Sequence, residues 1–245
     1  MLDYLDALAH AETLEDVWNL HCEEMARYGF DRLLYGYTRF ITEETLGEFE
    51  DAVFLTNHDS AYFDRFIGER LFLQTPMFRW ARHHGGARSW GDFWDDTQGL
   101  SEKEKEIIAF NRQMNVTAGY SISFANPSPR AFGMISLTAR SGLDQADVDE
   151  IWGRDGRVIE AINHMAHLKI MSLPHRTARA GLSDRQREVL EWVGEGKSNL
   201  DIATILGVTV ATVEKHLRLA REKLGVETTA HAILKASFQN QIFQD

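Results

Sequence analysis

The sequence predicts an α+β chain: an N-terminal α/β/α sandwich built on an antiparallel sheet, then a separate C-terminal all-α bundle. Two observations carry that prediction. Segments Leu33–Phe40, Ala52–Thr56, Ala118–Phe124 and Phe132–Ala139 have the composition and alternation of strands. The last two are joined by Asn126-Pro127-Ser128-Pro129, as in a hairpin with a longish loop. Beyond residue 181 the pattern is purely helical, with apolar stripes punctuated by capping residues and Gly.

The elements follow in order. Amphipathic helices are expected over Leu2–His10 and Thr13–Tyr28, with Thr13 as N-cap and Asp16 three residues on. A polar stretch separates the first two strands. Ser60 is read as the cap of a helix carrying Tyr62, Phe63, Phe66 and Ile67. Thr75-Pro76 breaks the chain and starts a short helix, since Pro suits a first helical turn. His83-His84-Gly85-Gly86 reads as a loop, and Ser101-x-x-Glu104 as a capping box opening a helix to about Met114. Asp144 caps a long helix to about Ile170. The expected division is a sensory domain over 1–173, a linker over 174–181 (PHRTARAG) and a second domain over 182–245.

The 245 residues are 44% hydrophobic, with 14 Phe, 6 Trp and 6 Tyr, which describes a folded chain. No apolar run approaches the roughly 18 residues of a membrane span, and the start is acidic and amphipathic, so neither membrane nor secretion is expected. Cys22 has no internal disulfide partner, which suits a reducing cytoplasm, and is expected as a small buried residue of the second helix. The net charge of −11 is unevenly placed. Residues 175–245 hold 10 Lys+Arg and 9 Asp+Glu, a net +1, which leaves −12 for residues 1–174. The acidity therefore does not veto a phosphate-binding tail, which needs only a local basic surface.

The tail meets the steric demands of a helix-turn-helix. Ser183-x-x-Gln186 is a capping box, and Gly196 ends its helix. From Asn199, Ala203 is small where two helices cross, and Gly207 permits the positive φ of a tight turn. Ile202, Leu206, Val208, Val213 and Leu217 form a buried wedge. Thr209 caps a helix over Val210–Leu224 whose outer face offers Thr212, Glu214, Lys215, Arg218 and Arg221. A last helix begins at Thr229. The whole segment from LSDRQREVL to ILKA resembles the output domain of the LuxR family. The resemblance implies that the second helix of the motif enters the major groove of double-stranded DNA. Glu214, Lys215 and Arg218 match base-reading positions, and Lys197, Thr209, Thr212 and Arg221 are candidate phosphate contacts. Gln186 stands where the family usually has Glu, and glutamine can still close the box.

Three inputs are weighed for the front domain. A phospho-receiver would need a parallel α/β pattern, which is absent. A metal site or enzyme would need clustered ligands, and His83-His84 and His164-x-x-His167 are expected to be surface residues, so no catalytic or metal-binding residues are assigned. The third is a small-molecule pocket. Ala52–Ala139 resembles the acyl-homoserine-lactone-binding domain of LuxR-type quorum-sensing receptors through Tyr62-x3-Phe66, Thr75-Pro76, Trp90, Gly119 and Ser136. In the family the first aromatic is a Trp that donates to the lactone carbonyl and Thr75 is an Asp that accepts the ligand amide. A neutral hydroxyl there should cost on the order of 1 kcal/mol. Tyr62, Phe66, Thr75, Trp90 and Ser136 are thus the candidate ligand-binding residues. Tyr62, Phe66, Trp90, Phe93 and Trp94 fit a plain aromatic core as well. The expectation is a cytoplasmic homodimeric regulator that reads an inverted repeat. It has no cofactor and is governed by an acyl-homoserine lactone, long-chained or otherwise, or a related amphiphile. The alternative is a ligand-independent DNA binder whose front domain serves dimerisation or contact with RNA polymerase.

Overall fold

The computed structural model describes residues 1–41, 47–48, 51–94, 100–125, 128, 130–174 and 181–243, apart from the Trp94 side chain. The Trp94 side chain, most of the 174–181 linker and residues 126, 127 and 129 of the hairpin loop therefore lie outside what is described. The chain forms two compact units, Met1–Met171 and Ser172–Asp245.

In the first unit, helices α1 (Leu2–His10) and α2 (Leu14–Arg27) precede strand β1 (Phe30–Thr38), and the Thr13 hydroxyl accepts from the Asp16 amide as expected. Strand β2 (Val53–Thr56) is followed by α3 (Ser60–Phe63), which continues as a π-helical turn over Asp64–Gly68. Asp59, not Ser60, caps α3: its carboxylate accepts from the Ala61 amide, and Ser60 is the first helical residue. A 3-10 turn (Leu71–Gln74) leads to α4 (Pro76–Ala81), which starts on Pro76 with Thr75 as cap. The expected loop at 83–86 instead leads into a further strand, β3 (Gly86–Ser89), too short for its alternation to show in sequence. Then come α5 (Gly91–Trp94), α6 (Glu102–Gln113) with the Ser101/Glu104 capping box complete, β4 (Gly119–Phe124), β5 (Phe132–Ala139) and α7 (Gln145–Ser172). Asp144 and Asp147 exchange amide-to-carboxylate bonds of 3.0 Å at the start of α7.

The five strands make one antiparallel sheet in the order β2-β1-β5-β4-β3. Pairing places Ser121 opposite Ser136, and Ser136 opposite Leu34, so these three side chains share a face. The other face carries Tyr35, which shares a 2.8 Å hydrogen bond with His167 of α7, while Phe124 stacks on the His167 ring at 4.1 Å. His167 was expected at the surface and is buried at 4% exposure. Its ring is flat and neutral enough to fill an aromatic core once Tyr35 pairs its nitrogen. Burial, with smaller contributions from His164 and Arg39, lowers its pKa to about 4. His21 is fully buried in the same layer. Its Nε2 lies 2.9 Å from Asn163 Oδ1 and its Nδ1 accepts from the Tyr4 hydroxyl, which fixes a neutral tautomer. Cys22 is half-buried, and burial pushes its thiol up to about 12, so it is inert rather than reactive.

The second unit holds α8 (Asp184–Gly194), α9 (Asn199–Leu206), α10 (Val210–Leu224) and α11 (Thr229–Phe238). Ser183 and Gln186 close their capping box, and Ser198 and Asp201 form a second. Gly207 (φ 65°) and Gly225 (φ 64°) end α9 and α10 in the left-handed conformation. Val189, Leu190, Ile202, Ala203, Val213, Leu217, Ala220 and Leu224 close the core.

Candidate functional site

Five residues from separate segments of the first unit meet around one cavity of about 110 Å3, room for several water molecules. Tyr62 comes from α3, Phe66 from the π turn, Thr75 from the head of α4, Trp90 from the β3–α5 junction and Ser136 from β5. Phe93 also lines it, as do Leu34, Phe54, Met77, Ile107 and Met134, so the wall is mainly apolar with a few polar groups. The aromatics are therefore both core and lining.

The polar groups are held by specific bonds. The Trp90 indole N–H donates to Ser121 Oγ at 3.0 Å, and Ser121 and Ser136 share a 3.1 Å bond across the β4–β5 pair. Gly119 makes the Trp90 position possible: a Cβ there would lie 2.2 Å from the Leu137 carbonyl oxygen and 3.0 Å from the Trp90 ring. Tyr62 is stacked between His58 and Phe66 at centroid distances of 4.6 and 5.0 Å, and its hydroxyl donates to Asn111 Oδ1 at 3.3 Å. The Thr75 hydroxyl oxygen accepts from the Phe78 amide at 3.2 Å and so caps α4, while its only hydrogen goes to the Phe72 carbonyl at 2.8 Å.

Polar residues not expected at the site also line the cavity: His58, Asn111, Thr138 and Glu104, which was expected only as a helix cap. His58 Nε2 lies 3.3 Å from the Thr138 hydroxyl, and burial, then Arg32, lowers the His58 pKa to about 4. Burial acts to raise the Glu104 carboxyl, but bonds from the Ser101 amide and hydroxyl and the Arg79 guanidinium hold it below the usual range. Asn111 follows Glu104, Ile107 and Ile108 along the cavity face of α6. A polar residue within an apolar helical stripe was the available signal for it.

In the second unit Lys197, Thr209, Glu214, Lys215 and Arg218 are exposed, and Thr212 and Arg221 are partly so. Thr209 caps α10 by accepting from the Thr212 amide, and the two hydroxyls lie 2.9 Å apart. Arg218 pairs with Glu222 one turn along at 2.6 Å, and Arg221 donates to the Thr229 hydroxyl at 2.9 Å. Glu214 and Lys215 have no side-chain partner among the described residues; the Glu214–Arg218 pairing that i,i+4 spacing allows does not form.

A domain model described as an autoinducer binding domain matches residues 13–170, and one described as bacterial regulatory proteins, luxR family, matches 180–236. The chain belongs to the LuxR family of autoinducer-binding regulators. It is a ligand-responsive DNA-binding transcription regulator, not an enzyme. The transcriptional activator AnoR of Acinetobacter nosocomialis is 25% identical over 241 residues, spanning 96% of this chain and 95% of that protein. The transcriptional activator CarR of Pectobacterium carotovorum is 23% identical over 192 residues, 74% and 77% of the two chains. Among solved structures, Escherichia coli SdiA matches 99% of this chain and 98% of its own at TM-score 0.56 and 17% identity. SdiA in complex with octanoyl-rac-glycerol matches at TM-score 0.53 and 18% identity, over 97% and 93%. The family rests on the two domain models, and the solved structures share the fold. Among the described residues of this LuxR-family regulator no helix is long and apolar enough to cross a membrane, and no group of three or more metal-ligating side chains occurs.

Proposed function

We propose that the cavity binds a small amphiphile, an acyl-homoserine lactone or a related molecule, and that a cytoplasmic homodimer then reads an inverted repeat in double-stranded DNA. The working boundaries are 1–173 for sensing, 174–181 for the linker and 182–245 for DNA. The observation that carries the ligand reading is the convergence of Tyr62, Phe66, Thr75, Trp90 and Ser136, distant in sequence, on one largely apolar cavity. The exposed face of α10 supports the DNA reading. Glu214, Lys215 and Arg218 would reach base edges, while Lys197, Thr209, Thr212 and Arg221 would touch phosphates. Apolar Met165 and Leu168 on α7 and Leu234 on α11 are exposed, which suits burial between two copies. RNA polymerase is the partner through which a bound dimer would alter transcription.

The test is mass spectrometry of the organic extract of protein purified from cells fed an acyl-homoserine-lactone panel. One lipid-like species per chain supports the reading, and an empty, well-folded protein contradicts it. Thr75→Asp sharpens the head-group assignment. Aspartate caps a helix as well as threonine does, so the fold should survive, and a carboxylate within reach of the ligand amide should tighten lactone binding about tenfold. Unchanged calorimetric affinity would remove Thr75 from the ligand-binding set.

A further inference from the structure

We infer that Asn111 selects the ligand: its side-chain amide donates to a carbonyl oxygen of the ligand's polar head, so the cavity takes amphiphiles with an ester or lactone carbonyl in preference to carbocyclic analogues. This rests on the amphiphile reading above and goes beyond it in assigning the donor.

Asn111 lines the cavity from α6 and is 9% exposed. Among the described residues its side chain has one hydrogen bond, received from the Tyr62 hydroxyl at 3.3 Å. An asparagine amide carries two donor hydrogens, and buried polar groups are nearly always paired. Two unspent hydrogens at a cavity wall point to a partner that arrives with the ligand. The result does not depend on which way the amide is turned. With Oδ1 toward Tyr62, both amide hydrogens are free. With Nδ2 toward Tyr62, one amide hydrogen and the Tyr62 hydroxyl hydrogen are free. Two donors remain either way.

The rest of the lining points in the same direction. Within the His58–Thr138 pair one hydrogen is shared and one remains, whichever tautomer His58 adopts. Trp90 spends its only donor on Ser121, and the Ser121–Ser136 pair keeps one hydroxyl hydrogen in reserve. The one carboxylate of the described lining, by contrast, is committed: Glu104 is held by Ser101 and Arg79, and the Thr75 hydroxyl bonds both Phe72 and Phe78. The cavity has surplus donors and no open carboxylate among its described lining residues. It therefore fits a head rich in oxygen acceptors. Tyr62, its hydroxyl tied to Asn111, is a positioning residue that fixes where the amide points.

The test compares N-octanoyl-homoserine lactone with N-octanoyl-cyclopentylamide, which has the same chain and ring size but lacks both lactone oxygens. Affinities come from titration calorimetry on the full-length protein, for wild type, Asn111→Leu and Asn111→Asp. Aspartate is isosteric and still accepts from Tyr62, so it keeps the fold if leucine does not. Wild type should prefer the lactone about five- to tenfold, the worth of one neutral hydrogen bond. Both variants should bring the ratio close to one, with Asn111→Leu binding the carbocycle at least as tightly as wild type does. A wild-type ratio near one, or a preference that survives in either folded variant, overturns the assignment of Asn111 while leaving the amphiphile site intact. Failure of wild type to bind either probe overturns both.

Discussion

The two units of this chain encode their structure in different ways. In the second unit each helix boundary is local: Ser183 with Gln186, Ser198 with Asp201, Thr209, Gly207, Gly225 and Thr228 each cap or end a helix within a few residues of themselves. In the first unit the site depends on pairing over long distances, such as Ser121 with Ser136, Tyr62 with Asn111 and Thr138 with His58. A nucleic-acid-reading surface can be displayed by one helix, whereas a ligand cavity needs several segments to agree. The two units should accordingly fail separately.

The largest expected effect comes from emptying the helical core. Ile202 is fully buried, and Ile202→Ala should destabilise the second unit by about 2–5 kcal/mol. Calorimetry should show its transition moving down while that of the first unit stays in place. Loss of both transitions together would mean that the units fold as one.

Acidification should do the reverse. The pKa values of His21 and His167 are lowered to about 4 in the folded protein, chiefly by burial, against an ordinary value of 6.5. The unfolded chain therefore binds more protons between pH 6.5 and 4. The stability given by these neutral rings is present above pH 6.5 and is lost as the pH falls through that window. Each ring should cost at most about 1.4 kcal/mol per pH unit. Among its described residues the second unit has no fully buried histidine, so thermal melts at pH 7 and pH 5.5 should lower only the first transition. Equal shifts in both would contradict the comparison.

A smaller effect is expected on the reading helix. Arg218→Ala should cost roughly 1–3 kcal/mol on a specific operator if Arg218 contacts a guanine, and competition binding should show a lesser loss on random DNA. Since Glu222 holds Arg218 at 2.6 Å, Glu222→Gln should strengthen binding to both. Equal losses on specific and random DNA would reduce Arg218 to a phosphate contact.

This contrast also decides what was legible in advance. Capping residues act on their own neighbours, so α2, α6 and all of α8–α11 could be read almost to the residue. The identity of His167 as core rather than surface could not, because only the distant Tyr35 satisfies its nitrogen. The four residues of β3 carry no alternation of their own and become a strand through β4. In the cavity, Tyr62, Phe66, Thr75, Trp90 and Ser136 were named only through the resemblance to LuxR-type receptors, and all five line it. What could not be named was the bonding that changes their meaning: Thr75 spends its hydroxyl on a helix cap, and the Tyr62 hydroxyl is turned to Asn111.

Occupation of the cavity in the first unit is expected to change DNA binding by the second. The direct measurement is operator affinity of the full chain, by fluorescence anisotropy, with the amphiphile recovered from it present and absent. An affinity ratio of about 5–150, in either direction, is predicted for coupling of 1–3 kcal/mol. Identical affinities for the loaded and empty protein would contradict the claim.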